Sequence, residues 1–248
     1  MNNGVVSLDT AFTDGLYWKQ GGNAGTTPGT NVVGTTDAIP LELHVDGARA
    51  LRLEPTANCP NLIGGFSGNT VGDGVVAATI AGGGPSDPND PTTGNFVFAD
   101  YGTIGGGESN EADGSHATIG GGEANNVPNN TSHATIGGGK LNVATGTFNT
   151  IGGGESNEAD GSHVTIRGGE GNEADGSHAT IGGGRFNTPA GDFGTIAGGD
   201  GNAADGSHSS VAGGEANFAR RAHATIGGGF RNMAEADSTT IGGGYGNT

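Results

Sequence analysis

The fifteen residues Thr103 to Ala117, TIGGGESNEADGSHA, return at 150–164 with Val164 as the one change, and at 165–179 with Arg167 and Gly171 as the two changes. Looser copies begin at Thr118, Thr135, Thr180, Thr195, Ser210, Thr225 and Thr240. A fixed period of this length is the signature of a stacked architecture, in which each unit is too small to fold alone and buries its apolar atoms against its neighbours. Composition agrees. Gly supplies 55 of 248 residues and hydrophobic types only 31%, too little for an ordinary single core. A collagen triplet is excluded by the period and by the scarcity of Pro.

The isoleucine of each TIGGG marks the coils. It stands at 63, 80, 104, 119, 136, 151, 166, 181, 196, 226 and 241, with Val211 in the same column. From Ile136 onward each step is fifteen residues. The longer steps hold insertions, expected as loops at 85–95 and 125–130. Within a unit, Ala117 and Ile119 alternate with His116 and Thr118, a period of two that reads as strand with Ala and Ile inward. The residue after Ile varies between Gly, Ala and Arg167, so it is expected to face outward. The next is Gly in every copy, which implies positive φ or a crowded backbone. Six residues after Ile comes Asn, as at Asn110, Asn157 and Asn172, and two further on usually Ala, as at Ala112. An Asp-Gly pair then signals a turn.

The expected fold is therefore all-β: a parallel β-roll (β-solenoid) of about 15-residue coils over 61–248. Ile104, Ile119, Ile151 and Ala112 form a thin core, and Asn110, Asn157 and Asn172 belong to an amide ladder. One isoleucine per coil is little burial against the entropy of ordering fifteen residues. Backbone ladders and association with other chains are expected to supply the difference.

Residues 1–60 do not repeat and are expected to form a small N-terminal β adapter or cap domain. Leu16–Gln20, with Tyr17 and Trp18, reads as a strand, and Pro55 to Pro60 as a linker. Leu41 to Val45, then Asp46-Gly47-Ala48, then Arg49 to Leu53 read as a hairpin. It places Leu43 opposite Leu51 and Leu41 opposite Leu53 on one face, and Glu42 opposite Arg52 on the other.

The formal net charge is −17, from 26 acidic and 9 basic residues. Phosphate neutralisation needs a basic surface, so nucleic-acid partners are disfavoured, and an anionic membrane is disfavoured for the same reason. The opening MNNGVVSLDT lacks the basic and apolar regions of a secretory signal. No stretch has the length of a membrane-spanning helix. Cys59 is alone, which rules out an internal disulfide, and is expected as a small buried residue.

Few constellations carry chemistry. His116, His133, His163, His178, His208 and His223 share a column, so imidazoles stacked by coils are a candidate transition-metal site; His116, His163, His178 and His208 are the candidate ligands. Asp113, Asp160, Asp175 and Asp205 stack beside Glu111, Glu158 and Glu173, where Ca²⁺ or another divalent ion would relieve repulsion. The glycine runs are not phosphate loops, since no Gly-Lys-Ser/Thr follows. Ser115-His116 is not a triad, since no third group orients the imidazole. No catalytic residue or cofactor is expected, and the chain is read as a non-enzyme. Insertions on a rigid scaffold are natural contact sites, which singles out Pro85, Asp87, Asp90, Phe96, Asn126 and Asn129.

The units Ile104-x-Gly106, Asn110-x-Ala112-x-Gly114 and Ala117-x-Ile119 resemble the head repeats of YadA-like trimeric autotransporter adhesins. The segment 15–55 resembles modules that precede repeats in phage tail-fibre-like proteins. The resemblance implies a left-handed roll and a homotrimer. It also implies a structural role: a virion tail fibre or spike for host attachment or spacing, docked to other virion or surface proteins through residues 1–60. The alternative is a secreted or cell-surface adhesin binding a host glycan or protein. The threonine column also admits an ice-binding solenoid, though without paired Thr-x-Thr rows.

Overall fold

In the computed structural model, residues 24–27, 29–30, 32–85, 90 and 93–248 are described. The expected strand at Leu16–Gln20, with Tyr17 and Trp18, lies outside them, as does Asp87. The chain divides into two compact units, Met1–Ala38 and Ile39–Thr248. Within the described part of the first, Thr30 N–H closes a turn on Thr27 C=O at 3.1 Å.

The second unit is a β-solenoid of about fifteen residues per coil, built from strands, turns and loops, without a helix among the described residues. Its first sheet has fourteen strands among the described residues. Its parallel part is the Thr-Ile ladder: Thr103↔Thr118, Ile104↔Ile119, Thr135↔Thr150 and Ile136↔Ile151, continuing in register to Thr225↔Thr240. Opposite it, the Glu-Ala positions pair in a sheet of seven strands and then one of three. These pairs include Glu111↔Asn126, Glu158↔Glu173 and Phe218↔Met233. A column of single parallel bridges, from Glu108↔Glu123 to Phe230↔Tyr245, closes each coil. Every coil repeats the hydrogen bonds of the last; Thr118 N–H reaches Ala134 C=O at 3.0 Å and Gly120 N–H reaches Ile136 C=O at 2.9 Å.

The core is thin and continuous. Ile104, Ile119, Ile136, Ile151, Ile166 and Ile181 have no exposed surface, nor do Ala112, Ala117, Ala144 and Ala159. Beside them runs the buried amide ladder. Asn172 Nδ2 donates to Asn157 Oδ1 at 2.9 Å and to Gly168 and Gly184 carbonyls at 3.1 Å. Its own Oδ1 accepts the N–H and Nδ2 of Asn187 at 3.0 and 3.1 Å. Each buried amide is thus satisfied by its copies above and below, which makes a polar core column tolerable. The ladder also contains Asn95, which bonds Asn69 and Asn110; the insertion before it breaks the spacing that marks the other members.

Glycine is needed for two different reasons. In most coils the glycine after the outward residue has positive φ, 154° at Gly106 and 148° at Gly121. The next is crowded as well: a Cβ on Gly107 would lie 2.0 Å from Gly122 O. The Asp-Gly pair is not the left-handed corner that its letters suggest. Gly161 takes an ordinary φ, and its missing side chain makes room for the next coil, whose Gly176 O would lie 2.4 Å from a Cβ. The left-handed residue is the histidine two places on, at φ 58° for His116 and 62° for His163. A second left-handed corner passes through Ser109, Ala124, Leu141 and Ser156 at φ 54–57°.

The hairpin forms with the expected leucine register, but its loop is shorter: Ala48 already stands opposite Val45, so the turn is Asp46-Gly47, and a register shift between Leu43 and His44 restores Leu43↔Leu51. Strand β1 (Leu41–Val45) pairs antiparallel with β2 (Ala48–Glu54), with Leu43↔Leu51, Leu41↔Leu53 and Glu42↔Arg52. β2 pairs antiparallel with β3 (Asn61–Gly64), the first strand of the roll, so the hairpin extends the first sheet and the compact unit that holds the roll begins at Ile39. Residues 55–60 are the connection between β2 and β3. Arg49 closes this end of the roll: its guanidinium donates to the carbonyls of Phe66, Ser67 and Asn69 at 3.2, 3.0 and 2.9 Å. Cys59 is exposed rather than buried. It sits in that connection, where its carbonyl accepts Thr56 Oγ1 and Ala77 N–H at 2.8 and 3.1 Å.

Candidate functional site

Two outward columns, one of rings and one of carboxylates, are the chemically distinctive parts of the surface. The ring column occupies the first left-handed corner. Tyr101, His116, His133, Phe148, His163, His178, Phe193, His208 and His223 stack in unbroken succession, centroids 4.6–5.1 Å apart and planes within 1–22°. A left-handed residue with a Cβ is strained. The second corner has the same strain and takes Ser, Ala, Leu, Gly, Phe or Arg. The first takes a ring at nine successive coils before Ser238. Stacking, worth roughly 0.5–1.5 kcal/mol per pair, is the difference between the two corners.

That geometry decides what the histidines can do within one chain. The rings of His163 and His178 are 4.8 Å apart and 1° from parallel. Their nitrogen lone pairs lie in parallel planes and point alongside each other instead of meeting at one ion, as a zinc site requires. His116, His163 and His208 also have Nδ1 occupied by the preceding serine hydroxyl at 2.9 Å. The structure brings the candidate ligands together as a stack, with their faces covered and their edges outward.

The carboxylates lie on the second sheet. Asp160, Glu173 and Asp175 are exposed and offer oxygens within 4.8 Å of one another, the one such group of three potential ligands among the described residues. Oxygen donors of this kind suit a hard cation, though Ca²⁺ takes six to eight of them. Partial burial, then repulsion from Asp160, Glu173 and Asp175, raises the pKa of Glu158. Burial, then Asp160, raises that of Asp175. Burial also raises Asp205 despite Arg220. Asp113 is pushed up to about 6, by burial first and Glu111 second; its Oδ1 is buried without a hydrogen-bond partner.

The contact loops need redrawing. Asn126 is in a strand, Asn126–Val127, in register with Glu111–Ala112. Asn125 is a ladder residue with no exposed surface. The two extra residues of this coil sit in Pro128–Thr131, between Val127 and the Ser115↔Ser132 bridge. Asn129 is in that loop, and Thr131 pins it by donating to Pro128 C=O at 2.7 Å. Phe96 is likewise in a strand, Phe96–Val97, in register with Glu111–Ala112, its ring stacked 5.9 Å from Phe98. A run of insertion letters fixes how many residues are extra but not which of them rejoin the ladder. Pro85 lines a shallow concavity of about 340 Å³ with Phe66, Gly83 and Gly84. Asp90 accepts Thr93 Oγ1 at its carbonyl, 3.2 Å away.

No family model and no curated protein matches the chain.

Proposed function

We propose that the chain is a non-enzymatic structural rod: a tail fibre or surface spike of a virus-like particle that serves host attachment or acts as a stiff spacer. The supporting observation is the amide ladder, which continues from Asn69 to Asn247 with each member bonded to the next. Neighbouring coils cannot slide or open without breaking it, so the stack resists bending and shear. Eleven steps of ~4.8 Å give the Thr-Ile ladder a length of roughly 50 Å. A rod of this kind holds whatever is at its two ends a fixed distance apart.

The repeated surface supports the non-enzymatic reading. Catalysis needs one constellation of differently tuned groups, whereas here rings and carboxylates recur coil after coil. Contact would fall to departures from the repeat, the insertion that begins at Pro85 and ends before the ladder residue Asn95, and the Pro128–Thr131 loop. A virion or cell-surface location, docking through residues 1–60 and a threefold assembly belong to the same proposal. The second reading is a surface or secreted adhesin whose two loops bind a host glycan or protein.

Negative-stain imaging of purified protein, together with identification of the particle or surface it copurifies with, tests the proposal. Straight rods of the stated length on a virion support it. Turnover of a polysaccharide by the pure protein, or flexible and collapsed particles, would refute it.

A further inference from the structure

The hairpin is amphipathic in an unexpected sense. Cross-strand partners share a face of a sheet. Arg52 is opposite Ile63, and Ile63 is buried, so Glu42 and Arg52 continue the inward face. There Arg52 pairs with Glu42 and Glu54 at 3.7 and 2.9 Å. The leucines take the other side. Leu41 is opposite Leu53, Leu53 opposite Leu62, Leu62 opposite Thr79 and Thr79 opposite Thr103. Leu41, Leu43, Leu51, Leu53 and Leu62 therefore form one outward patch that runs into the threonine column; Leu43 is 49% and Leu53 37% exposed. Soluble chains rarely leave clustered large apolar groups on the outside unless something covers them.

We propose that another copy of this chain covers it, the outer face of the first sheet being the surface through which the copies of the proposed assembly meet. Charge favours this occupant. In the threonine column and the Gly/Ala column beside it, Arg167 is the one formal charge from Leu62 to Gly242. The second sheet presents Glu111, Asp113, Glu158, Asp160, Glu173 and Asp175. The bridge column presents Glu108, Glu123, Glu155, Glu170, Asp200 and Glu215 against Lys140 and Arg185. At a net charge of −17, two copies meet on the first sheet without setting carboxylate against carboxylate. Area points the same way. The leucine patch alone is smaller than the ~800 Å² that each partner of a stable pair commonly buries. The contiguous Thr and Gly/Ala face, roughly 50 Å long, brings the total to that order. Its small side chains let two sheets approach closely and dry, as in a zipper of facing strands. The leucines anchor one end and so set the alignment of the copies. The inference concerns the rod itself and holds wherever the rod is mounted.

The full chain should show a mass of more than one copy by light scattering on a sizing column. The triple variant Leu43→Glu, Leu53→Glu, Thr150→Glu should weaken association at least about tenfold with its β-sheet circular dichroism intact, since all three sites are on the surface of the single chain. Thr188→Glu, at the bridge to Ala203 on the side of the second sheet, should leave the mass unchanged. A second measurement covers a variant that fails to fold: in a Cys59→Ser background, Thr150→Cys should react with a maleimide more slowly than Glu158→Cys at high protein concentration, and equally at low. A monomeric full chain overturns the proposal. So does a mass that responds to Thr188→Glu and not to the triple variant, or labelling that is concentration-independent at Thr150→Cys.

Discussion

Replacing Asn172 with Ala tests the amide ladder where both neighbours are present. The side chain makes three donated and two accepted hydrogen bonds. Some partners keep another bond after truncation. Asn157 Oδ1 still accepts Asn172 N–H at 3.2 Å, Gly184 C=O still accepts Glu170 N–H at 3.0 Å, and Asn187 Nδ2 still reaches Gly183 and Gly199 at 3.1 Å. Two partners are stranded: the backbone N–H of Asn187, in a residue with no exposed surface, and the carbonyl of Gly168. The buried N–H costs about 1–3 kcal/mol when stranded and the half-buried carbonyl less, and the space left by the amide adds to this, so the total is about 2–4 kcal/mol. Thr188, in the coil after Asn172, is the internal comparison. It faces outward in the bridge to Ala203 and takes no part in the amide ladder. Thr188→Ala should therefore cost under about 0.5 kcal/mol. Because a repeat stack need not unfold in one step, hydrogen exchange at the Asn187 amide is the sharper readout, with the denaturation midpoint beside it. Equal losses in the two variants would show that the ladder is a consequence of stacking and contributes little to it.

Three further outcomes follow from the same structure. Glycine at the two left-handed corners should act in opposite directions: Ser156→Gly relieves strain and raises the thermal midpoint by the equivalent of ~0.5–1 kcal/mol, while His178→Gly lowers it, because two stacked contacts of 4.8 and 4.7 Å are lost with the ring. Asp113 has a folded-state pKa of about 6 against 3.8, so the folded chain binds its proton more tightly than the unfolded one. Its charge therefore destabilises fully above about pH 6, and that cost is removed as pH falls toward 3.8; Asp113→Asn should raise the midpoint at pH 7, by ~1 kcal/mol after discounting for solvent screening, and flatten the pH profile over that window. Arg49→Met should speed hydrogen exchange in the first coil, around Phe66 to Asn69, while leaving the coils from Thr150 onward unchanged.

The coil length, inward Ile and Ala, the Asn ladder and the hairpin register were all legible in the letters, because each is imposed at every turn and a periodic demand leaves a periodic trace. What escaped reading occurs once or depends on direction. Asn95 is hidden by the insertion before it. Asp-Gly resembles a turn corner, yet its glycine answers to the coil stacked on it, and the left-handed corner passes to the histidine two places on. The letters carry the His column but not its geometry: only with Tyr101, Phe148 and Phe193 in the same row does it become a stack of rings rather than a set of ligands.

The hairpin shows the limit most clearly. The letters of β1 and β2 say that leucines share one side and Glu42 and Arg52 the other, and ordinary patterning would turn the leucines inward. The side that faces inward is set elsewhere, by β3, where Ile63 must join the isoleucine column and so carries Arg52 with it to the core side. One hydrogen-bonded register thus overrides the local preference of twelve strand residues. An isolated hairpin has no reason to accept that arrangement; a hairpin whose outer face lies against another copy does. The orientation that looks wrong for a single chain is the one that an associating rod requires.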